Sequence, residues 1–218
     1  MKPYYDHAGV TIYHGDARYL LGGMEPIDVL LTDPPYAPNG DTPESNSRAG
    51  IAVALNKAST LLRTDGTALV FSTSSARGLD FIRESMKPLP LKRLLPWVKD
   101  TSISAVGGPW RWDSVLIGVY GRGTWGRPKA RGWFNNAEVS PAKAGHPLSL
   151  PEGMGYWLTG VFEPGKRILD PFCGSGSLLL DAARAGHRSI GIEIEERYCE
   201  IAAKRCAQEV MALDAEGK

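Results

Sequence analysis

Short apolar runs that break at turn residues recur along the chain. Val10 to Tyr13 stops at Gly15-Asp16, Asp28 to Thr32 at Asp33-Pro34, and Ala68 to Ser72 in serine-rich sequence. Leu94 to Val98 stops at Lys99-Asp100, Val115 to Tyr120 at Gly121, Arg167 to Leu169 at Asp170-Pro171, and Ser189 to Ile194 runs into an acidic cluster. Runs of this length and punctuation predict strands, several apolar enough to be covered on both faces as in a parallel sheet. Helical spacing lies between them: Ile51 to Leu62, with a stop at Asp65-Gly66; Gly176 to Ala185, stopped by Gly186; and Glu195 to Leu213, where Tyr198, Ile201, Ala202 and Val210 share a face. Strands alternating with helices predict an α/β fold, a doubly wound, mostly parallel, seven-stranded Rossmann-like sheet. Ligands of such sheets bind beyond the carboxyl ends of the strands, which directs attention to the loops after Thr32 and Leu169.

Composition narrows the class. With 218 residues, 43% hydrophobic and 22% charged, the chain is ordinary globular material, and one domain over 1–218 is expected. Three cysteines without a Cys-x-x-Cys pair argue against a disulfide framework and fit a reducing cytoplasm. No signal-like N-terminus or membrane-length apolar run is present, so a cytoplasmic protein is expected. His7, His14, His146 and His187 lack metal-ligand spacing, and no metal centre is expected.

The net charge of +1 is uninformative, but its distribution is not. Residues 83–146 carry eleven Lys or Arg against four acids, a local +7 that leaves −6 for the remainder. Four tryptophans, Trp110, Trp112, Trp125 and Trp133, interleave there with Arg111, Arg122, Arg127, Lys129 and Arg131. Cations for phosphates mixed with aromatic faces for bases point to nucleic acid, with Lys99, Arg111, Trp112, Arg122, Arg127, Lys129 and Arg131 as candidate contacts. The segment 101–146 is the candidate target-reading region, and the breaker-rich stretch 37–50 reads as a mobile loop.

Asp33-Pro34-Pro35-Tyr36 follows a strand directly. The first proline forces an extended backbone on Asp33, and two in succession stiffen the turn while leaving carbonyls free. A carboxylate and a carbonyl can accept both hydrogens of one planar NH2 group, and Tyr36 offers a face for a heterocycle. Together they describe a pocket for the exocyclic amino group of a base. The second loop, Asp170-Pro171-Phe172-Cys173-Gly174-Ser175-Gly176, joins a strand to a helix through paired glycines, the turn that lets a nucleotide-like ligand approach the backbone. The third glycine of the dinucleotide fingerprint is missing and no phosphate loop occurs, which disfavours a diphosphate cofactor. Glu193, ending the next strand beside Ile194, stands where an acid accepts hydrogen bonds from ribose hydroxyls. Glu195, Glu196 and Glu200 suit the start and solvent face of the last helix.

These two motifs together resemble those of the amino-group DNA methyltransferases that use S-adenosylmethionine, with the catalytic motif ahead of the cofactor motif as in the permuted β-class order. The resemblance covers nearly the whole chain. It implies that Asp33, Pro34, Pro35 and Tyr36 are catalytic and that the cofactor is held by Asp170, Pro171, Phe172, Cys173, Gly174, Gly176, Glu193 and Ile194. Tyr13-His14-Gly15-Asp16-Ala17 resembles the motif whose acid, here Asp16, lies near the cofactor adenine. His146-Pro147-x-x-x-Pro151 resembles the segment at the methionine end, although Leu148 and Leu150 stand where a threonine and a lysine are common, leaving Ser149 as the nearest hydroxyl.

The implied activity is methyl transfer to N6 of an adenine flipped from double-stranded DNA, as a site-specific adenine methyltransferase of the restriction-modification type. An aspartate at the first motif position resembles adenine-N6 rather than cytosine-N4 enzymes. The alternatives are cytosine N4, an RNA or protein-glutamine amide substrate, or an inactive DNA-binding accessory, and a homodimer stays open. Cytosine C5 chemistry is set aside because Cys173 lies in the glycine loop and not in a Pro-Cys context. Cys199 and Cys206, on one helix, read as small buried hydrophobes.

Overall fold

The computed structural model describes residues 1–35, 47–99, 114–123, 132, 134–136, 150–151 and 153–216. Nine strands form among them: β1 (Tyr5–His7), β2 (Val10–His14), β3 (Ile27–Thr32), β4 (Leu62–Thr73), β5 (Leu91–Lys99), β6 (Ser114–Gly121), β7 (Phe134–Asn136), β8 (Arg167–Asp170) and β9 (Arg188–Glu193). The helices are α1 (Ala17–Leu20), α2 (Arg48–Thr60), α3 (Ala76–Ser85), α4 (Met154–Thr159), α5 (Ser177–Arg184) and α6 (Glu196–Glu216). The strands make one sheet in the order β1-β2-β9-β8-β3-β4-β6-β5-β7. Pairing is parallel from β2 through β4 and antiparallel where β6 lies between β4 and β5.

The central strands carry consecutive apolar residues because both faces of the sheet are covered. Leu30 faces a cluster with Ile51 and Leu55 of α2 and Ile82 of α3, whereas its neighbours Val29 and Leu31 face Met154 and Leu158 of α4 and Leu178 of α5. That alternation is the two-residue period of a strand, and each buried leucine side chain contributes roughly 1.5–3 kcal/mol. A third cluster seats Cys199, Ala202 and Cys206 of α6 against Val10 and Ile12 of β2. Both α2 and α3 start at a serine whose hydroxyl accepts an amide hydrogen bond, Ser47 from Gly50 and Ser75 from Gly78.

The doubly wound, mostly parallel sheet agrees with the expectation, and all seven anticipated runs are strands. Nine strands replace seven because β1 and β7, three residues each, are too short to show alternation and form by pairing with β2 and β5. Asp65-Gly66 does not stop a helix: α2 ends at Thr60, and Asp65-Gly66 lies inside β4. A Cβ on Gly66 would meet the Asp28 carbonyl at 3.0 Å, so glycine there serves close approach to β3. Residues 48–50 of the anticipated loop 37–50 are the first turn of α2, and most of 101–146 lies outside the described residues. No helix among the described residues is long and apolar enough to cross a membrane.

Candidate active site

The chain leaves β8 toward β9 and leaves β3 toward β4, in opposite directions along the sheet, so a crevice opens where the carboxyl ends of β8 and β3 lie side by side. The two motifs meet there. Thr32, the last residue of β3, donates its hydroxyl hydrogen to Oδ1 of Asp170, the last residue of β8, at 2.7 Å. The same oxygen accepts from the Phe172 amide at 3.0 Å. Asp33 follows half-buried, then Pro34 buried and Pro35 half-buried.

Asp170 is 2% exposed. Burial pushes its carboxyl up to about 7, against the hydrogen bonds from Thr32 and Phe172 and with the help of the Asp33 and Glu193 charges. A carboxyl raised in the folded state contributes stability that is complete below its unfolded value, about 4, and is lost as pH climbs through the folded value near 7. Asp170→Asn is therefore expected to gain on the wild type in thermal unfolding between pH 4 and pH 8, with a constant offset at more acid pH. A difference independent of pH would show that the Asp170 carboxyl titrates alike in the folded and unfolded protein.

The glycine loop is a compact turn: the Cys173 amide donates to the Ile192 carbonyl at 3.0 Å, and the Gly176 amide to the Cys173 carbonyl at 2.8 Å. Gly174 and Gly176 have φ of 51° and 77°, the left-handed region that side chains resist. They differ in surroundings. A Cβ on Gly176 would meet that of Ala202 at 2.9 Å, whereas no described residue lies within 4 Å of the corresponding position on Gly174, which faces open space among them. Glu193 braces the loop, its carboxylate accepting from the Gly174 amide at 2.9 Å and the Glu195 amide at 2.8 Å. Burial holds that carboxyl above its usual range in spite of these bonds.

Cys173 is buried, and burial raises its thiol well above the ordinary value. A thiol kept protonated is no nucleophile. Asp16 lies farther along the rim, at the end of β2, where Gly15 donates to the Glu193 carbonyl at 2.8 Å and His14 Nε2 lies 3.1 Å from the Ile194 carbonyl. Its carboxylate caps α1 and takes the Arg18 guanidinium at 2.7 Å, which holds it below its ordinary range.

The carboxyl-terminal rim thus brings together Asp16, Asp33, Pro34, Pro35, the loop 170–176, Glu193 and Ile194. Tyr36, His146, Ser149, Arg111, Trp112, Arg127, Lys129 and Arg131 lie outside the described residues. Of the basic candidates that remain, Lys99 ends β5 on the crevice side, because Val98 pairs with Ser114 and Val115 with Thr73. Arg122 does not join it. It follows Gly121, which pairs with Thr67 at the far end of the β4–β6 ladder from Thr73, and its guanidinium donates to the Pro88 carbonyl at 2.7 Å. Sequence reasoning missed Thr32, and also Arg205 of α6, which donates to the Ser175 carbonyl at 3.0 Å and to the Ser177 hydroxyl at 3.0 Å and so ties α6 to the loop. Among the described residues no group of His, Cys, Asp and Glu is placed to hold a metal ion.

A mixed sheet of this order, with a glycine loop on a central strand and an acidic-proline turn on its neighbour, is a methyltransferase fold. The solved M1.HpyAVI–SAM complex superposes with a TM-score of 0.72 at 22% identity, covering 90% of this chain and 98% of that one. PvuII DNA methyltransferase, described as cytosine-N4-specific, superposes at 0.73 with 17% identity, covering 93% and 88%. The sequence is more specific than these folds. A family model described as DNA methylase, of the N6/N4 methyltransferases, matches residues 110–204. The type II methyltransferase M2.DpnII of Streptococcus pneumoniae is 26% identical over 260 aligned positions, covering 95% of this chain and 93% of that protein. The resemblance to the amino-group DNA methyltransferases is borne out.

Proposed function

We propose that this protein methylates the N6 amino group of an adenine extruded from double-stranded DNA. The observation that carries the reading is the meeting of Asp33-Pro34-Pro35 with the glycine loop across one strand pair, bridged by Thr32 and Asp170. S-adenosylmethionine, the cofactor implied by the sequence, is supported by the methyltransferase family match and by the complex of M1.HpyAVI. The residues present fit it: open space at Gly174, backbone that comes close without side chains, and a buried Glu193 carboxylate at the loop's edge. Gly174, Asp170, Phe172 and Glu193 would hold it, and bound there it supplies an electrophilic methyl group.

The chain's own part is to bind and orient the acceptor. An amino group inside a duplex is out of reach, so the base must leave the stack. Asp33 and the Pro34 carbonyl take the two amino hydrogens, and Tyr36 stacks on the ring. Those bonds concentrate the nitrogen lone pair on the side opposite the protein acceptors, so that rate comes from orientation and charge placement. No covalent link to the protein is needed. Asp33 at the first motif position supports adenine over cytosine.

The experiment is incorporation of labelled methyl from S-adenosylmethionine with unmethylated duplex DNA, RNA and bulk protein as competing acceptors. Label in duplex DNA alone is expected. Label confined to RNA or protein, or none at all, would overturn the reading.

A further inference from the structure

On the β4 side of β3, away from the glycine loop, Pro34 and Pro35 form one wall of a cavity of about 150 Å³. Thr73 at the end of β4, Arg77 and Phe81 of α3, and Arg48 of α2 line it as well. Its chemistry is one-sided. Arg48 and Arg77 both line it, and among the described residues no carboxylate does and neither arginine forms an ion pair. Two positively charged residues beside one small cavity favour an anion there.

The hydroxyls that line it are already engaged, that of Ser72 donating to the Thr73 carbonyl at 3.0 Å. The hydroxyls of Thr73 and Ser75 bond to each other at 2.7 Å, and the Ser75 oxygen also accepts from the Gly78 amide at 3.1 Å. The Arg48 guanidinium is held in place, donating to the Arg77 carbonyl at 3.3 Å and lying 4.6 Å from the Phe81 ring centroid. Its remaining N–H groups and those of Arg77 are the donors on offer. A base needs acceptors as well as donors, whereas a phosphate asks only for donors, and arginine supplies them in a matching fork.

We infer that this cavity is a subsite for one backbone phosphate of the DNA strand, next to the base held at Asp33-Pro34-Pro35, with Arg48 and Arg77 as its ligands. The inference rests on the proposed function. A phosphate gripped beside the motif fixes the position of the extruded nucleotide without reading its identity. Arg48 reaches the cavity from the first turn of α2 and Arg77 from the first turn of α3, so the two helices that flank the motif close on the strand together.

The test starts by locating a methylated site in DNA treated with the wild-type protein. A duplex carrying that site is then made with an uncharged methylphosphonate at each phosphate flanking the methylated base in turn. One of the two substitutions is expected to weaken wild-type binding about tenfold, the cost of a charge-assisted hydrogen bond. The same substitution should cost the R48Q/R77Q protein less than about twofold, and that variant should bind the unmodified duplex with a salt slope lower by about one. The R48K/R77K protein should recover the slope, and cofactor affinity should be unchanged in both variants. Equal methylphosphonate penalties in wild type and variant, or an unchanged slope, would overturn the phosphate subsite while leaving the methyltransferase reading intact. Failure of the wild type to methylate any DNA would overturn that reading, and the subsite with it.

Discussion

Replacing Asp33 by alanine should reduce methyl transfer by about a hundredfold to a thousandfold, the effect of removing one group aimed at charge that develops in a transition state. Cofactor affinity should stay within about twofold, because the glycine loop is held by Glu193, Ile192 and Arg205 and not by Asp33. The fold should survive as well. Asp33 is half-buried at the crevice, and the strand before it is anchored by apolar burial and by Thr32 to Asp170. Asp33→Asn separates a chemical role from a structural one. It keeps an acceptor oxygen and the shape but removes the charge, so the rate should fall between wild type and alanine. Single-turnover rates with cofactor titrations on the same preparations make the comparison. A rate for Asp33→Ala within about tenfold of wild type would remove Asp33 from the reaction.

Gly191→Val should be the most damaging change to the protein itself. Gly191 sits in β9, beneath the glycine loop, paired with Ile12 of β2 and Asp170 of β8. A Cβ there would drive into Leu179 and would stand 2.7 Å from the Cys173 sulfur and 3.0 Å from its Cβ. These are packed side chains with no solvent side to retreat to, since Leu179 is 1% and Cys173 is 7% exposed. Relief requires lifting the loop from the sheet, which breaks the Cys173 amide to Ile192 carbonyl bond and shifts Gly174 away from Glu193. Overpacking of this kind costs about 1–3 kcal/mol or more, and the loss of cofactor binding should exceed what the drop in stability explains. Gly191→Ala, smaller by two methyl groups, should fall in the same direction with a smaller effect. Thermal unfolding and cofactor titration read both quantities, and a stable Gly191→Val protein with normal cofactor affinity would contradict the packing described.

Much of this arrangement is legible in the chain before any coordinates. Apolar runs that end at Asp33-Pro34 and Asp170-Pro171 mark strands covered on both faces, and in a doubly wound sheet the residues after such strands line the crevice. Glu193 is legible by the same reasoning, as the acid at the end of the neighbouring strand. Thr32 was hidden because its partner is 138 residues away in sequence and is reached only when β3 and β8 pair. Arg122 looked equivalent to the other cations of the basic segment, yet β6 runs antiparallel to β4 and carries it to the opposite end of the sheet. The serine-rich stretch after β4 gave a turn but concealed α3, whose cap is Ser75 and whose apolar side depends on few residues, among them Phe81 and Ile82. Asp65-Gly66 has the composition of a helix stop, and only contact with β3 shows that the glycine serves a strand.

Asp33-Pro34-Pro35 is proposed to present the amino group of an adenine for methylation. Nucleoside analysis of duplex DNA after incubation with the protein and S-adenosylmethionine tests it most directly. The prediction is N6-methyladenine, present with the wild type and absent with Asp33→Ala. N4-methylcytosine in its place would contradict the base assignment while keeping the site, and DNA without any methylated nucleoside would contradict the function itself.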